Sequence, residues 1–218
     1  DGTRGIKRAA PASVIRAGFA DLVEAGAEIH RYYASIGVAR VSLSPEVASE
    51  LFDDALVDWI EPDPPTARPL SPVSSSRPSR LMFSQETPWG VDTLRADLAW
   101  NKVDGEGVKV MIIDTGYERS VGHEDLPDLP SSNCGGLGTS GGCDDHVASY
   151  HGTKTMGVIA ARDNASGIVG VAPGLDEDDI YSWSFCDDSA DCYLSEIAEA
   201  LDSAGSWGVE VVNMSIGD

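Results

Sequence analysis

The run Val108-Lys109-Val110-Met111-Ile112-Ile113 is apolar at five of six positions and delivers a carboxylate, Asp114, just before a break at Gly116. It has strand length and no polar alternation, so it reads as a strand that needs both of its faces covered. Thirty-seven positions after Asp114 comes His151-Gly152-Thr153, followed by the apolar helical pattern Thr155-Met156-Gly157-Val158-Ile159-Ala160-Ala161. A carboxylate at a strand end and a histidine at a helix start are the orienter and general base of an acyl-transfer enzyme.

A chain of 218 residues holds one large or two small domains. With 36 acidic against 15 basic residues its net charge is −21, which argues against nucleic acid or an anionic membrane as partners. No apolar stretch approaches the ~20 residues of a membrane span. The chain opens at Asp1 without methionine or a signal-peptide pattern, so any targeting segment is expected to be removed or to lie outside this sequence. Four cysteines form two close pairs, Cys134/Cys143 and Cys186/Cys192, each bracketing a stretch rich in Gly, Ser or Asp. Metal binding competes as a reading, but neither pair has CxxC spacing; two local disulfides in an oxidising, secreted setting fit better.

Helix and strand signals alternate near the start. Pro11 can open a helix with Ile15, Phe19, Leu22 and Val23 on its apolar face. Residues 28–36 and 38–43 read as a strand pair across Gly37, Ser44-Pro45 as a helix cap, and residues 56–60 as a last strand. Residues 64–83 carry five prolines, a serine run and three arginines with no acid, which reads as a linker exposed to processing. Three regions result: alternating helix and strand signals over 1–63, the linker over 64–83, and residues 84–218, which hold the apolar run and His151.

Ile113-Asp114-Thr115-Gly116 and His151-Gly152-Thr153, in the order Asp…His, resemble the subtilisin-like serine proteases, the subtilases. The resemblance implies an α/β fold with a parallel sheet, of which residues 84–218 are the N-terminal half, and it implies that Asp114 holds the imidazole and that His151 takes the proton of a serine hydroxyl. After His151 only 67 residues remain, and none carries the family's Gly-Thr-Ser-Met-Ala nucleophile motif. A second chain bearing the C-terminal half, with the catalytic serine and the oxyanion-hole asparagine, is therefore the expected partner, and this chain alone is expected to be inactive. The competing reading is an inactive fragment or pseudoprotease that serves as a binding or inhibitory module. Tyr150 stands where the family often has glycine, and Lys154-Thr155-Met156 replaces His-Val-Ala.

The segment ending Val57-Asp58-Trp59-Ile60-Glu61-Pro62-Asp63 looks like the subtilase propeptide, which implies a ferredoxin-like intramolecular inhibitor and a zymogen. Val212-Asn213-Met214-Ser215-Ile216-Gly217 resembles the family's cleft wall, implying that Ser215, Ile216 and Gly217 bind peptide or protein substrates as an added β-strand. Across the cleft the resemblance sets the loop bearing Asp187, Asp188 and Asp191, whose charge implies a taste for basic residues before the scissile bond. Gln85, Asp125 and Asn164, with the carbonyls of Arg162, Ser166 and Ile168, match the family's calcium ligands, and an all-oxygen set suits a hard cation.

Overall fold

The computed structural model describes residues 20, 22–24, 26–52, 54–55, 57–58, 60–63, 68–69, 84–119, 123–138, 143–145, 147 and 150–217. The chain divides into two compact units, Asp1–Pro64 and Pro65–Asp218.

In the first unit, β1 (Glu28–Tyr33) and β2 (Val38–Ser42) pair antiparallel, with Tyr33 opposite Val38. Tyr33, the last residue of β1, and Ala27, just before the strand, are buried. Helix α1 (Pro45–Phe52) starts where Ser44 places its hydroxyl 3.3 Å from the Val47 amide, so a side chain satisfies an amide that the helix cannot. Residues 22–24 are helical, but the rest of the helix expected after Pro11 lies outside the described residues, as does most of the 64–83 linker. The strand expected over 56–60 is not formed at its described positions, 57, 58 and 60. The Val57 amide instead donates to the Asp54 carbonyl at 3.1 Å, a turn that bends the chain just where the strand would begin.

The second unit is built on a four-stranded sheet in the order β5 (Cys134–Gly136), β6 (Ile180–Ser184), β4 (Val110–Asp114), β7 (Val211–Met214). Every neighbouring pair is parallel. All five residues of β4 are buried. Its side chains alternate between the faces, as a strand requires. Met111 and Ile113 join Tyr181, Trp183 and Phe185 beneath Ala200 and Ala204 of α4 (Leu194–Trp207). Val110 and Ile112 join Leu126, Leu129, Leu175 and Ile180 against Met156 and Ala160 of α3 (His151–Ala160). The small alanines let α4 lie close to the aromatic face. Lys109 sets its ammonium 3.0 Å from the Trp207 carbonyl, satisfying a helix end that has no intrahelical donor.

The strand at Val211 is less buried than its apolar sequence implies. Val211 and Met214 are each 49% exposed, because β7 is an edge strand of the described sheet. Beyond it the chain forms β8 (Ile216–Gly217), and there β3 (Arg68–Pro69) pairs with it antiparallel, Arg68 opposite Gly217 and Pro69 opposite Ile216. Helix α2 (Trp89–Leu94) precedes the sheet.

The chain enters α3 through Tyr150, whose φ of 50° and ψ of 45° are left-handed. An L-residue with a side chain pays about 1–2 kcal/mol for that conformation, and Tyr150 at 47% exposure gains little packing in return. Allowing for the greater unfolded-state freedom of glycine, Tyr150→Gly is expected to stabilise the full-length protein by up to about 1 kcal/mol. Chemical denaturation checks this, and a midpoint below that of the parent would show that the Tyr150 side chain contributes more than its strain costs.

Candidate active site

Asp114 is the last residue of β4, and its side chain is 1% exposed. A carboxylate so buried must find donors in the protein. His151 supplies one: its Nδ1 lies 2.7 Å from Asp114 Oδ1. The Thr115 amide donates to the same oxygen at 2.8 Å, and the Thr155 hydroxyl donates to Oδ2 at 3.2 Å. An ionised carboxylate only accepts, so the short bond places the imidazole proton on Nδ1 and leaves Nε2 free to accept one. His151 is the first residue of α3 and its side chain is 12% exposed, so the ring is held but reachable.

Two glycines allow this approach. A Cβ on Gly152 would collide with the Gly116 carbonyl oxygen, and a Cβ on Gly116 would collide with the Asp144 carbonyl oxygen. Gly116 also has a φ of +107°, which disfavours any side chain. The end of β4, the start of α3 and the segment after Cys143 therefore meet backbone to backbone.

That meeting brings in residues that were not singled out from sequence. Asp145, 4% exposed, accepts from the Thr115 hydroxyl at 2.8 Å, the Thr153 amide at 3.0 Å and the Thr153 hydroxyl at 2.9 Å. Burial pushes its carboxyl above the usual carboxylate range and the charge of Asp114 adds to this, while the Thr153 and Thr115 bonds pull the other way. Thr155, seen in the sequence only as a departure from a motif, binds Asp114. Met156 fills the core beneath, and Lys154 is exposed. Thr115 and Thr153 sit inside the two motifs, but Asp145 has no spacing that marks it.

The residues matched to a calcium site converge as well. Gln85 Nε2 donates to the carbonyls of Arg162 at 2.8 Å and Ile168 at 3.3 Å, and its Oε1 accepts from the Ala165 amide at 3.0 Å. Asp125, 3% exposed, receives the Asn164 amide nitrogen at 3.2 Å and the Ile168 backbone amide at 2.9 Å. The Ser166 amide donates to Asn164 Oδ1 at 2.9 Å. The positive end of the Gln85 amide thus lies between two carbonyl oxygens and close to a buried carboxylate's loop. The described residues hold no cluster of three or more His, Cys, Asp or Glu, and here the carbonyls of Arg162 and Ile168 and the Asp125 carboxylate are met by N–H donors.

Both cysteine pairs are disulfides, Cys134–Cys143 and Cys186–Cys192. In the second loop the Asp187 carboxylate accepts from the amides of Ser189 at 2.9 Å and Asp191 at 3.0 Å. It therefore shapes its own turn, whereas Asp188 and Asp191 are exposed. Ser215, Ile216 and Gly217 follow β7, which lies beside β4 with Met214 level with Ile113.

The model of the subtilase family matches residues 105–218. An alkaline protease of Alkalihalobacillus alcalophilus is 31% identical over 191 residues, covering 87% of this chain and 44% of that protein. Subtilisin Savinase of Lederbergia lenta is 34% identical over 135 residues, covering 62% of this chain and 46% of that protein. The chain thus spans less than half the length of these curated relatives. Fervidolysin of Fervidobacterium pennivorans, described as a keratinolytic enzyme related to subtilisin, superposes with a TM-score of 0.58 at 20% identity, covering 93% of this chain and 34% of that one. At that identity the likeness speaks to the fold. With the family model spanning more than half of its residues, the chain belongs to the subtilase family.

Proposed function

We propose that this chain supplies the orienting carboxylate and the general base of a serine endopeptidase, Asp114 and His151, and that the nucleophilic serine is supplied by sequence outside it. The observation that carries this is the 2.7 Å bond from His151 Nδ1 to a carboxylate that is 1% exposed. Nε2 would take the serine proton as the hydroxyl attacks a peptide carbonyl, and would return it to the leaving amine. Asp114, fixed by Thr115 and Thr155, would stabilise the imidazolium between those steps. The half-exposed edge at β7 supports a partner, a C-terminal half that extends the sheet and brings the serine to His151.

Substrate binding follows from the edge at Ser215–Gly217. The antiparallel pairing of Arg68–Pro69 with Ile216–Gly217 supports a mode in which an extended peptide is held there by main-chain bonds. A segment of the protein itself occupying that edge also supports self-inhibition in a zymogen, with 1–63 as the propeptide domain and 64–83 as its linker. Exposed Asp188 and Asp191 favour basic residues in the bound peptide. Two disulfides support secretion into an oxidising compartment.

Calcium would be held by Gln85, Asp125 and Asn164 together with the carbonyls of Arg162, Ser166 and Ile168. Bound there, it would tie the segment at Gln85 to the loop after α3 and so brace the strand-to-helix connection around the base. It has no part in proton transfer.

The full-length protein should hydrolyse an unfolded protein substrate, and Asp114→Asn should lower kcat by about 10⁴-fold with little change in KM. Equal rates in the two proteins would refute the assignment of Asp114 and His151. Chelation should lower the melting temperature of the full-length protein, because a ligand of the native state alone stabilises it by mass action. Asp125→Ala should abolish that response. A melting temperature indifferent to chelator would remove calcium from the account.

A further inference from the structure

Asp145 is out of place as a structural residue. It is 4% exposed, close enough to Asp114 for the two charges to oppose each other, and its carboxyl is pushed up by burial. A neutral side chain would avoid that cost. What a neutral side chain cannot do is accept all three of the bonds found here.

Those bonds run to both sides of His151. On one side, the Thr115 hydroxyl donates to Asp145 Oδ1 at 2.8 Å and in turn accepts from the Gly152 amide at 2.9 Å. On the other, Asp145 Oδ2 accepts from the Thr153 amide at 3.0 Å and the Thr153 hydroxyl at 2.9 Å, and that hydroxyl accepts from the Glu118 amide at 2.9 Å. Gly152 and Thr153 are the second and third residues of α3, and their amides are among those a helix leaves without internal partners. Tyr150, at the position where a side-chain cap normally sits, makes no cap bond. The cap of α3 is therefore supplied from elsewhere, by Asp145 directly and through Thr115. Because both threonine hydroxyls spend their protons on Asp145, their lone pairs face the Gly152 and Glu118 amides. The direction of the whole network is set by one carboxyl group that receives three bonds.

We infer that Asp145 is a positioning residue for the general base: it fixes the first turn of α3, through Thr115 and Thr153, so that the His151 ring meets Asp114. This rests on the catalytic reading of Asp114 and His151 given above. Thr115 also donates its amide to Asp114 Oδ1, so the same residue touches both the orienting carboxylate and the helix cap. The segment carrying Asp145 is itself fastened. Cys143, two residues earlier, is bridged to Cys134 at the start of β5, which pairs with β6 in the sheet that holds Asp114. The helix bearing the base and the strand bearing its orienter are thereby referred to one frame. Small displacements matter here, since an error of about 1 Å in a reacting group can cost about 100-fold in rate.

The test uses the full-length protein, with kcat and KM measured on a peptide substrate for Asp145→Asn, Asp145→Ala, Thr115→Val and the double variant Asp145→Asn with Thr115→Val. Asp145→Asn, which keeps the shape and part of the accepting capacity, should lose about tenfold in kcat, and Asp145→Ala about 100-fold, with KM within about twofold of the parent. The double variant should be little worse than the more damaged single variant, because both act along one path. Unchanged kcat, or a double variant whose loss is the product of the single losses, would overturn the inference. Should Asp145→Ala fail to fold, the Asn and Val variants decide the matter. NMR of the His151 ring nitrogens separates this inference from the catalytic reading. The Nδ1–H signal should weaken on Asp145→Asn whether or not the parent protein hydrolyses peptides, and a signal unmoved by the substitution would overturn the positioning role. A parent protein with no hydrolytic activity contradicts the catalytic reading instead.

Discussion

A carboxylate that is 1% exposed at the end of a fully buried strand is the constraint around which this unit is arranged. Burial removes Asp114 from water, and the cost of that is met only if donors surround it. Three do so: the His151 ring, the Thr115 amide and the Thr155 hydroxyl. Each donor requires a particular piece of backbone to come close, so satisfying one charge fixes the end of β4 and the start of α3 together. The two glycines at the contact, Gly116 and Gly152, follow from that closeness, because a Cβ on either would strike a carbonyl oxygen of the other elements.

The sheet supplies the rigidity this demands. Alternate residues of β4 enter two separate cores, one beneath the alanines of α4 and one against Met156 and Ala160 of α3. Parallel strands covered on both faces have little freedom to slide, because a one-residue shift would turn each side chain to the other face. On the other flank, Val211 and Met214 are half-exposed at the edge of the described sheet. Asp114 and that edge lie on adjacent strands, β4 and β7.

Much of this was legible in the sequence because it depends on local pattern. The apolar run ending at Asp114, the helix opening at His151 and the ribbon across Gly37 are periodicities and punctuation that need no tertiary knowledge. The Ser44 cap was legible for the same reason. The strand expected over 56–60 failed where a turn bond from Val57 to Asp54 took the backbone another way, a competition that an apolar run does not reveal. Asp145 was hidden for a different reason. Its partners lie 30 and 8 positions away in the chain, and only the folded backbone brings a carboxylate after Cys143 onto the cap of α3. The charge imbalance helped least, because a net −21 describes the surface and leaves the buried acids undistinguished.

The most direct test of the central claim, that His151 is a general base held for a serine outside residues 1–218, is covalent labelling of the full-length protein with a fluorophosphonate. The modified residue is located by mass spectrometry and the labelling rate measured in the parent and in His151→Ala. The account requires a single labelled serine lying beyond these residues and a rate that falls by several orders of magnitude without the imidazole. Labelling within residues 1–218, or a rate indifferent to His151, would contradict it.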